Sequence, residues 1–188
     1  MRKLVLVRHS IPAIVTGTPA SEWQLSDEGR RRCEPLAEKL RVYHPGAIMT
    51  SQEPKASETG RLVAGKLDIP FEPVDGLHEH DRTNEPYRSQ DHFMAQISSF
   101  YANPNKLMFG LETAANVYLR FEAAMQRIIA RDPEKNLVVV THGTVMSLYI
   151  GRKTETDPFA FWKRLRLPAI AVLSLPDHTL LQVIEEVY

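Results

Sequence analysis

The chain has 188 residues, with 23 basic and 23 acidic side chains and a formal net charge of zero. That balance provides no basic surface for nucleic acid or for an anionic membrane. The single cysteine, Cys33, excludes an intrachain disulfide and a cysteine-based zinc site.

Leu4-Val5-Leu6-Val7 is a continuous apolar run, and residues 3–8 read as a strand buried on both faces, as in a parallel sheet. Arg2 and Lys3 precede it, but Arg8 ends it after four residues, too early for a signal-peptide core. No apolar stretch is long enough to span a bilayer, so a cytoplasmic globular protein is expected. Residues 11–25, with Pro12, Gly17 and Pro19, read as loop. Ser26 can cap a helix running to about Tyr43, in which Pro35 predicts a kink or an interrupted start. Pro45-Gly46 ends this element, and Ala47-Ile48-Met49 is a short second strand. A second helix follows from Ser51 to Gly65, with Pro54 in its first turn, and Phe71 to Val74 forms another short strand. Residues 76–110 are the least regular part. They hold the polar run His78-Glu79-His80-Asp81-Arg82 and a helix over 88–102 whose apolar face is Phe93, Ile97, Phe100 and Tyr101. From Leu111 to Arg131, Val117, Phe121, Ala124, Met125 and Ile128 recur at helical spacing. Asp132-Pro133 stops that helix before a strand of Leu137 to Thr141. Residues 144–151 form buried helical turns closed by Gly151. Ala169 to Leu175 and Leu180 to Val187 are strand-like around a Pro176-Asp177 turn. This alternation predicts one α/β domain, 1–188, a three-layer α/β/α sandwich with a mainly parallel central sheet.

Two strand ends carry histidine: Arg8-His9-Ser10 after the first strand and Thr141-His142-Gly143 after Leu137 to Val140. Open α/β sheets bind ligands at the C-terminal ends of their strands. Either motif alone is also compatible with a solvated polar pair or a capped helix start, but their shared placement argues for chemistry on an anion. Phosphoryl transfer through histidine requires a neutral, oriented imidazole, cationic or N–H donors around the phosphate oxygens, and an acid for the leaving oxygen. His9 is the candidate nucleophile, and Arg8 can present its planar fork to two oxygens. His142 faces the same crevice, and Gly143 opens a helix whose first amides favour an anion.

This pair of motifs resembles the histidine phosphatase superfamily, the phosphoglycerate mutase-like proteins. Leu25-Ser26-Asp27-Glu28-Gly29 is similar to the family's opening of the first long helix, and Thr50-Ser51-Gln52-Glu53-Pro54-Lys55-Ala56-Ser57-Glu58-Thr59 to its segment after the second strand. The resemblance runs from about residue 3 to 151. It implies a phosphate-binding role for the residue at Lys55, where the family usually has arginine; lysine keeps the charge but loses the bidentate geometry. Arg61, six residues on, turns away from that face. It also implies that Glu79, in a Leu-x-Glu context, is the general acid, its pKa raised by a neighbouring phosphate, with Asp81 and Glu85 as nearby rivals for the role. Gly110-Leu111-Glu112-Thr113 is assigned capping and bracing of the site loops.

The function implied is a metal-independent phosphatase that hydrolyses a phosphomonoester through a phosphohistidine on His9. Arg8, Lys55, His142 and Gly143 would cradle the phosphate and Glu79 would protonate the alcohol, with no metal and no organic cofactor. The expected partner is a small phosphorylated substrate or inorganic phosphate, with no nucleic acid and no membrane, and residues 76–110 cover the substrate. The alternatives are phosphoglycerate mutase-type transfer, disfavoured because Ile11 to Thr16 lacks the asparagine that mutases of the family resemble each other in having, and a non-catalytic phosphate-binding protein that kept the fold. A metal site on His78 to Asp81 and His92 lacks a His-x-x-x-His or cysteine set.

Overall fold

The computed structural model describes residues 1–188. Strand β1 (Arg2–Arg8) sends alternate side chains to opposite faces of a six-stranded sheet. Leu4 and Leu6 join one core and Val5 and Val7 the other. β4 (Leu137–Thr141) does the same, with Leu137 and Val139 on the first side and Val138 and Val140 on the second. The middle of each strand, Leu4 to Val7 and Leu137 to Val140, is apolar at every position because neither face meets water.

The second core is closed by α1 (Asp27–Arg31), α2 (Cys33–Arg41) and α3 (Pro54–Leu67), which contribute Leu36, Leu40, Val63 and Ala64. The first is closed by α4 (Gln90–Ala102), α5 (Ala114–Arg131), α6 (Gly143–Thr154) and α7 (Pro158–Arg164), through Phe100, Phe121, Met125, Met146 and Phe161. The remaining strands are β2 (Ile48–Thr50), β3 (Phe71–Pro73), β5 (Ala169–Leu175) and β6 (Leu180–Ile184). Their order is β3-β2-β4-β1-β5-β6. The pairs from β3 to β1 are parallel; β5 runs antiparallel to both β1 and β6. The expected three-layer α/β/α fold with a mainly parallel sheet is therefore observed.

This topology positions the site. β4 enters the sheet between β2 and β1, and the register pairs Arg8 with Thr141 and Thr50 with Val140. The residues immediately beyond those pairs, His9, His142 and Ser51, must then emerge side by side at one edge. Two bonds carry the ladder past the strand ends: His9 N–H to the Thr141 carbonyl and Ser51 N–H to the Val140 carbonyl, each 2.9 Å.

Several boundaries differ from the sequence reading. The helix expected from Ser26 to Tyr43, with a kink or interrupted start at Pro35, is two helices divided at Arg32, the interruption that this proline predicts. Pro35 lies in the first turn of α2, where its missing N–H has no intrahelical partner, while its ring would collide with the preceding turn of a continuous helix. Gly151 does not end α6, which continues to Thr154 and Glu155 in left-handed conformation at φ 57°. A Cβ at Gly151 would lie 2.9 Å from the Thr156 carbonyl oxygen and 3.0 Å from Pro158, so this glycine serves the close approach of the next segment. That segment leads into α7, which the sequence reading lacks. Asp157 caps it by accepting the Ala160 N–H at 2.7 Å, and Pro158 is its first residue. α3 begins at Pro54, α4 at Gln90 behind Ser89, and α5 at Ala114 behind the capping hydroxyl of Thr113.

Candidate active site

At the end of β1, His9 is enclosed, and its Nδ1 lies 2.7 Å from the carbonyl oxygen of Ser10. A carbonyl can only accept, so Nδ1 carries the proton and the Nε2 lone pair is free. Ser10 is itself fixed, its N–H donating to Thr59 Oγ1 at 3.0 Å and its hydroxyl to the Gly29 carbonyl at 2.8 Å. The sequence thus builds a rigid socket under His9 from α1 and α3. The His142 ring lies 5.1 Å from that of His9, centroid to centroid, at 64°. Burial holds both imidazoles well below the ordinary histidine range, reinforced by the Lys55 ammonium and, for His9, by His142. Both are neutral at physiological pH, as a nucleophile and its neighbour must be.

Arg8 is held by the Leu165 carbonyl and lies 5.9 Å over the Trp162 ring, so α7 and the turn after it anchor the guanidinium. Its Nε has no partner. Gly143 makes room for it: a Cβ there would sit 2.9 Å from Arg8 Nε and 3.1 Å from Trp162 Nε1.

Lys55, in the first turn of α3, is buried, and its ammonium donates to the Ala20 carbonyl at 2.7 Å and pairs with Glu53. Glu53 is the residue that sequence reasoning missed. Its other oxygen accepts the Glu79 N–H at 2.7 Å and lies 3.5 Å from His142 Nε2, which also meets the Ser51 hydroxyl at 2.8 Å. One carboxylate therefore joins Lys55, His142 and the Glu79 backbone. In sequence, Glu53-Pro54-Lys55 reads only as the entry to a helix; an acid two residues before a phosphate-site cation is the single available signal. Arg61 is exposed on α3, away from the site as expected.

Glu79 occupies the N-terminus of α6. Its carboxylate accepts the amides of Thr144 at 3.0 Å, Val145 at 3.3 Å and His80 at 2.9 Å. The helix-terminal anion site anticipated for phosphate is filled, in the free protein, by this side chain. Burial pushes the Glu79 carboxyl up, but His142, Arg82 and the Thr144 and His80 amides outweigh it and leave the group below its ordinary value. The raised value expected from the sequence presupposes a phosphate neighbour; without one, Glu79 is ionised.

The loop bearing Glu79 is braced from α5. Arg120 donates to the carbonyls of Gly76 at 3.0 Å, His78 at 2.9 Å and Glu79 at 3.2 Å, and pairs with Glu112 at 2.9 Å. Glu112 in turn accepts the Asp81 N–H at 3.0 Å. The bracing assigned to Gly110 to Thr113 is thus observed, with Arg120 as its unforeseen counterpart. The His78 to Asp81 run does not converge on one point. His80 turns inward to stack on Phe100 with ring centroids 4.4 Å apart, and no group of three or more His, Cys, Asp or Glu side chains is placed to hold a metal.

Arg8, His9, Lys55, Glu79 and His142 line one cavity of about 420 Å³, together with Glu53, His78 and Arg82. A parallel α/β sheet with paired strand-end histidines, flanked by cations and a carboxylate, defines a protein built to handle a phosphoryl group. A model of the histidine phosphatase superfamily (branch 1) matches residues 4–179, and the chain belongs to that superfamily. No curated protein matches the sequence. Solved structures share the fold at low identity. Bacillus stearothermophilus YhfR is 20% identical with a TM-score of 0.77, covering 96% of this chain and 94% of that one. The α-ribazole phosphatase from Shigella flexneri is 19% identical with a TM-score of 0.74, covering 98% and 96%. The phosphoserine phosphatase from Entamoeba histolytica, in complex with 3-phosphoglyceric acid, is 17% identical with a TM-score of 0.78, covering 97% and 96%.

Proposed function

We infer that this phosphatase hydrolyses a phosphomonoester through a phosphohistidine on His9. The observation that carries the reading is the His9 imidazole itself: buried, neutral, its Nδ1 proton spent on the Ser10 carbonyl and its Nε2 free in a cavity that also holds Arg8, Lys55, His142 and Glu79. Nε2 attacks phosphorus as the bond to the alcohol oxygen breaks, and Glu79 gives that oxygen its proton. Arg8, Lys55, His142 and the start of α6 at Gly143 stabilise the equatorial oxygens, where most of the catalysis of phosphoryl transfer resides. Water then attacks the phosphohistidine, the P–N bond breaks, and Glu79 takes back a proton. A phosphate dianion beside Glu79 raises its pKa by like charge and so supplies the acid form.

The names of the structural neighbours, phosphatases of phosphoserine and of α-ribazole phosphate, are in keeping with a small phosphorylated substrate. The zero net charge supports neither nucleic acid nor a membrane as partner, and no helix is long and apolar enough to cross a membrane. The chain is read as one cytoplasmic domain in which residues 76–110 cover the substrate; residues of that segment line the cavity around His9.

Hydrolysis of p-nitrophenyl phosphate in the presence of EDTA tests the mechanism. Wild type is expected to turn over and to yield a base-stable, acid-labile phosphoenzyme on quenching, while His9→Ala gives neither. A fully active His9→Ala protein would refute the scheme.

A further inference from the structure

The cavity around His9 opens into a larger one of about 770 Å³, and the two share Ile14, Trp23, Arg82 and Thr83 among their walls. A phosphate held at His9 fills only the inner space, so whatever the phosphate is attached to extends into the outer one. The outer walls are aromatic. Trp23 comes from the loop after β1 and Tyr87 from the loop before α4, and their rings meet at 6.5 Å between centroids. Phe93 and Phe109 add a second pair at 6.4 Å. Trp23 is pre-oriented, its indole N–H donating to the carbonyls of Val15 and Thr18 at 3.2 Å each. Tyr87, by contrast, is more than half exposed (58%), with Trp23 as its aromatic neighbour.

Three charged side chains, Arg82, Glu85 and Arg88, reach this space. Glu85 is engaged by the Gly110 amide at 3.3 Å and Gln96 at 3.5 Å. Arg82 lies at the neck, 4.7 Å over the Phe93 ring, with one buried Nη1 that has no protein partner and is therefore available to an ester or phosphate oxygen. An amphipathic chamber of this volume matches a drug-sized organic group far better than a three-carbon acid, which would leave most of it filled with water.

We propose that the outer cavity binds the alcohol half of the substrate, and that this half is a ring-bearing group stacked on Trp23 and Tyr87. The proposal rests on the phosphatase reading above and names its substrate class. Aryl and heteroaryl rings gain both apolar burial and offset stacking there.

Three phosphomonoesters with primary alcohol leaving groups separate the effect of the ring from leaving-group reactivity: 2-(naphthyl)ethyl phosphate, ethyl phosphate and phosphoserine. For wild type, kcat/KM is expected to favour the naphthyl ester at least about tenfold over each of the others. Trp23→Ala and Tyr87→Ala are each expected to collapse that ratio; Tyr87, being exposed, can be truncated without loss of core. Equal or better turnover of phosphoserine, or a ratio retained in both variants, overturns the proposal. Calorimetric titration with 2-(naphthyl)ethanol, which has no phosphate and needs no chemistry, tests the cavity independently of turnover. Binding that Trp23→Ala abolishes supports the proposal, and absence of binding to wild type refutes it. Binding of the alcohol by a protein that hydrolyses none of the three esters would instead refute the phosphohistidine reading alone.

Discussion

Glu53 and Lys55 form an ion pair that is nearly closed to solvent, with side-chain exposures of 11% and 6%, at the point where we propose that the phosphate binds. The carboxylate stands where an anion belongs, so substrate has to share or displace it. Glu53→Gln is expected to destabilise the free protein by about 3 kcal/mol, because Lys55 is left buried without its counter-charge. It should also make the stabilisation by inorganic phosphate larger than in wild type, since the ligand then supplies the missing charge. Thermal melts with and without phosphate check this; an unchanged phosphate shift would mean that Glu53 does not compete for the site. The same residues set the pH profile. Because burial keeps His9 neutral far below the usual histidine range, lowering the pH does not disarm the nucleophile in the mildly acidic region. It does increase the protonated fraction of Glu79. The kcat/KM for p-nitrophenyl phosphate is therefore expected to rise from pH 8 toward pH 5, and an acidic limb falling near pH 6.5 would show that His9 titrates normally.

At the scale of elements, Glu79, the proposed acid, is positioned by two helices. The α6 terminus holds its carboxylate, and Arg120 on α5 holds the loop backbone through three carbonyls. Arg120→Met removes the clamp without touching the cavity. The expected result is a kcat lowered by about 10²-fold through misplacement of Glu79, with KM little changed. Partial rescue by Arg120→Lys and a KM that stays put distinguish positioning from general loss of structure; a proportional fall in folded fraction would argue the contrary. Such devices escape a linear reading. The strands and most helices are visible because burial on both faces and 3.6-residue periodicity leave local patterns. The Arg120 clamp depends on the carbonyls of Gly76, His78 and Glu79, 41 or more residues away in the chain, whereas the interruption near Arg32 is signalled by Pro35, and α7 by a local Asp157-Pro158 start that the sequence reading passed over.

For the whole molecule, acid favours the chemistry and opposes the fold. His9, His142 and His80 are all held below the ordinary histidine value, chiefly by burial. Between that ordinary value of about 6.5 and their folded values, the unfolded chain binds more protons, so stability falls as pH drops through this window. The melting temperature is expected to decrease from pH 7.5 to pH 5. His80 tests the cause: both ring nitrogens are buried without partners between Phe100 and Phe109. His80→Leu is expected to raise stability at pH 7.5 by about 1–2 kcal/mol, or about 2–4 °C per kcal/mol, and to flatten the acid loss. A steeper loss in that variant would reject the assignment.

Glu79 came only from the family resemblance of its Leu-x-Glu context, but by itself the sequence determined the layered fold, the two strand-end histidines and their companion Arg8. Each is a local word: an apolar strand followed by a polar residue at the edge where such sheets bind ligands. Only tertiary structure decided which hydrogen His9 carries, that Lys55 is already paired, that Glu79 caps α6, and how large a chamber adjoins the phosphate. Those properties arise from groups far apart in the chain, whose charges and hydrogen bonds acquire partners only once the β1–β4 register and the packing of α5, α6 and α7 set them at contact distance.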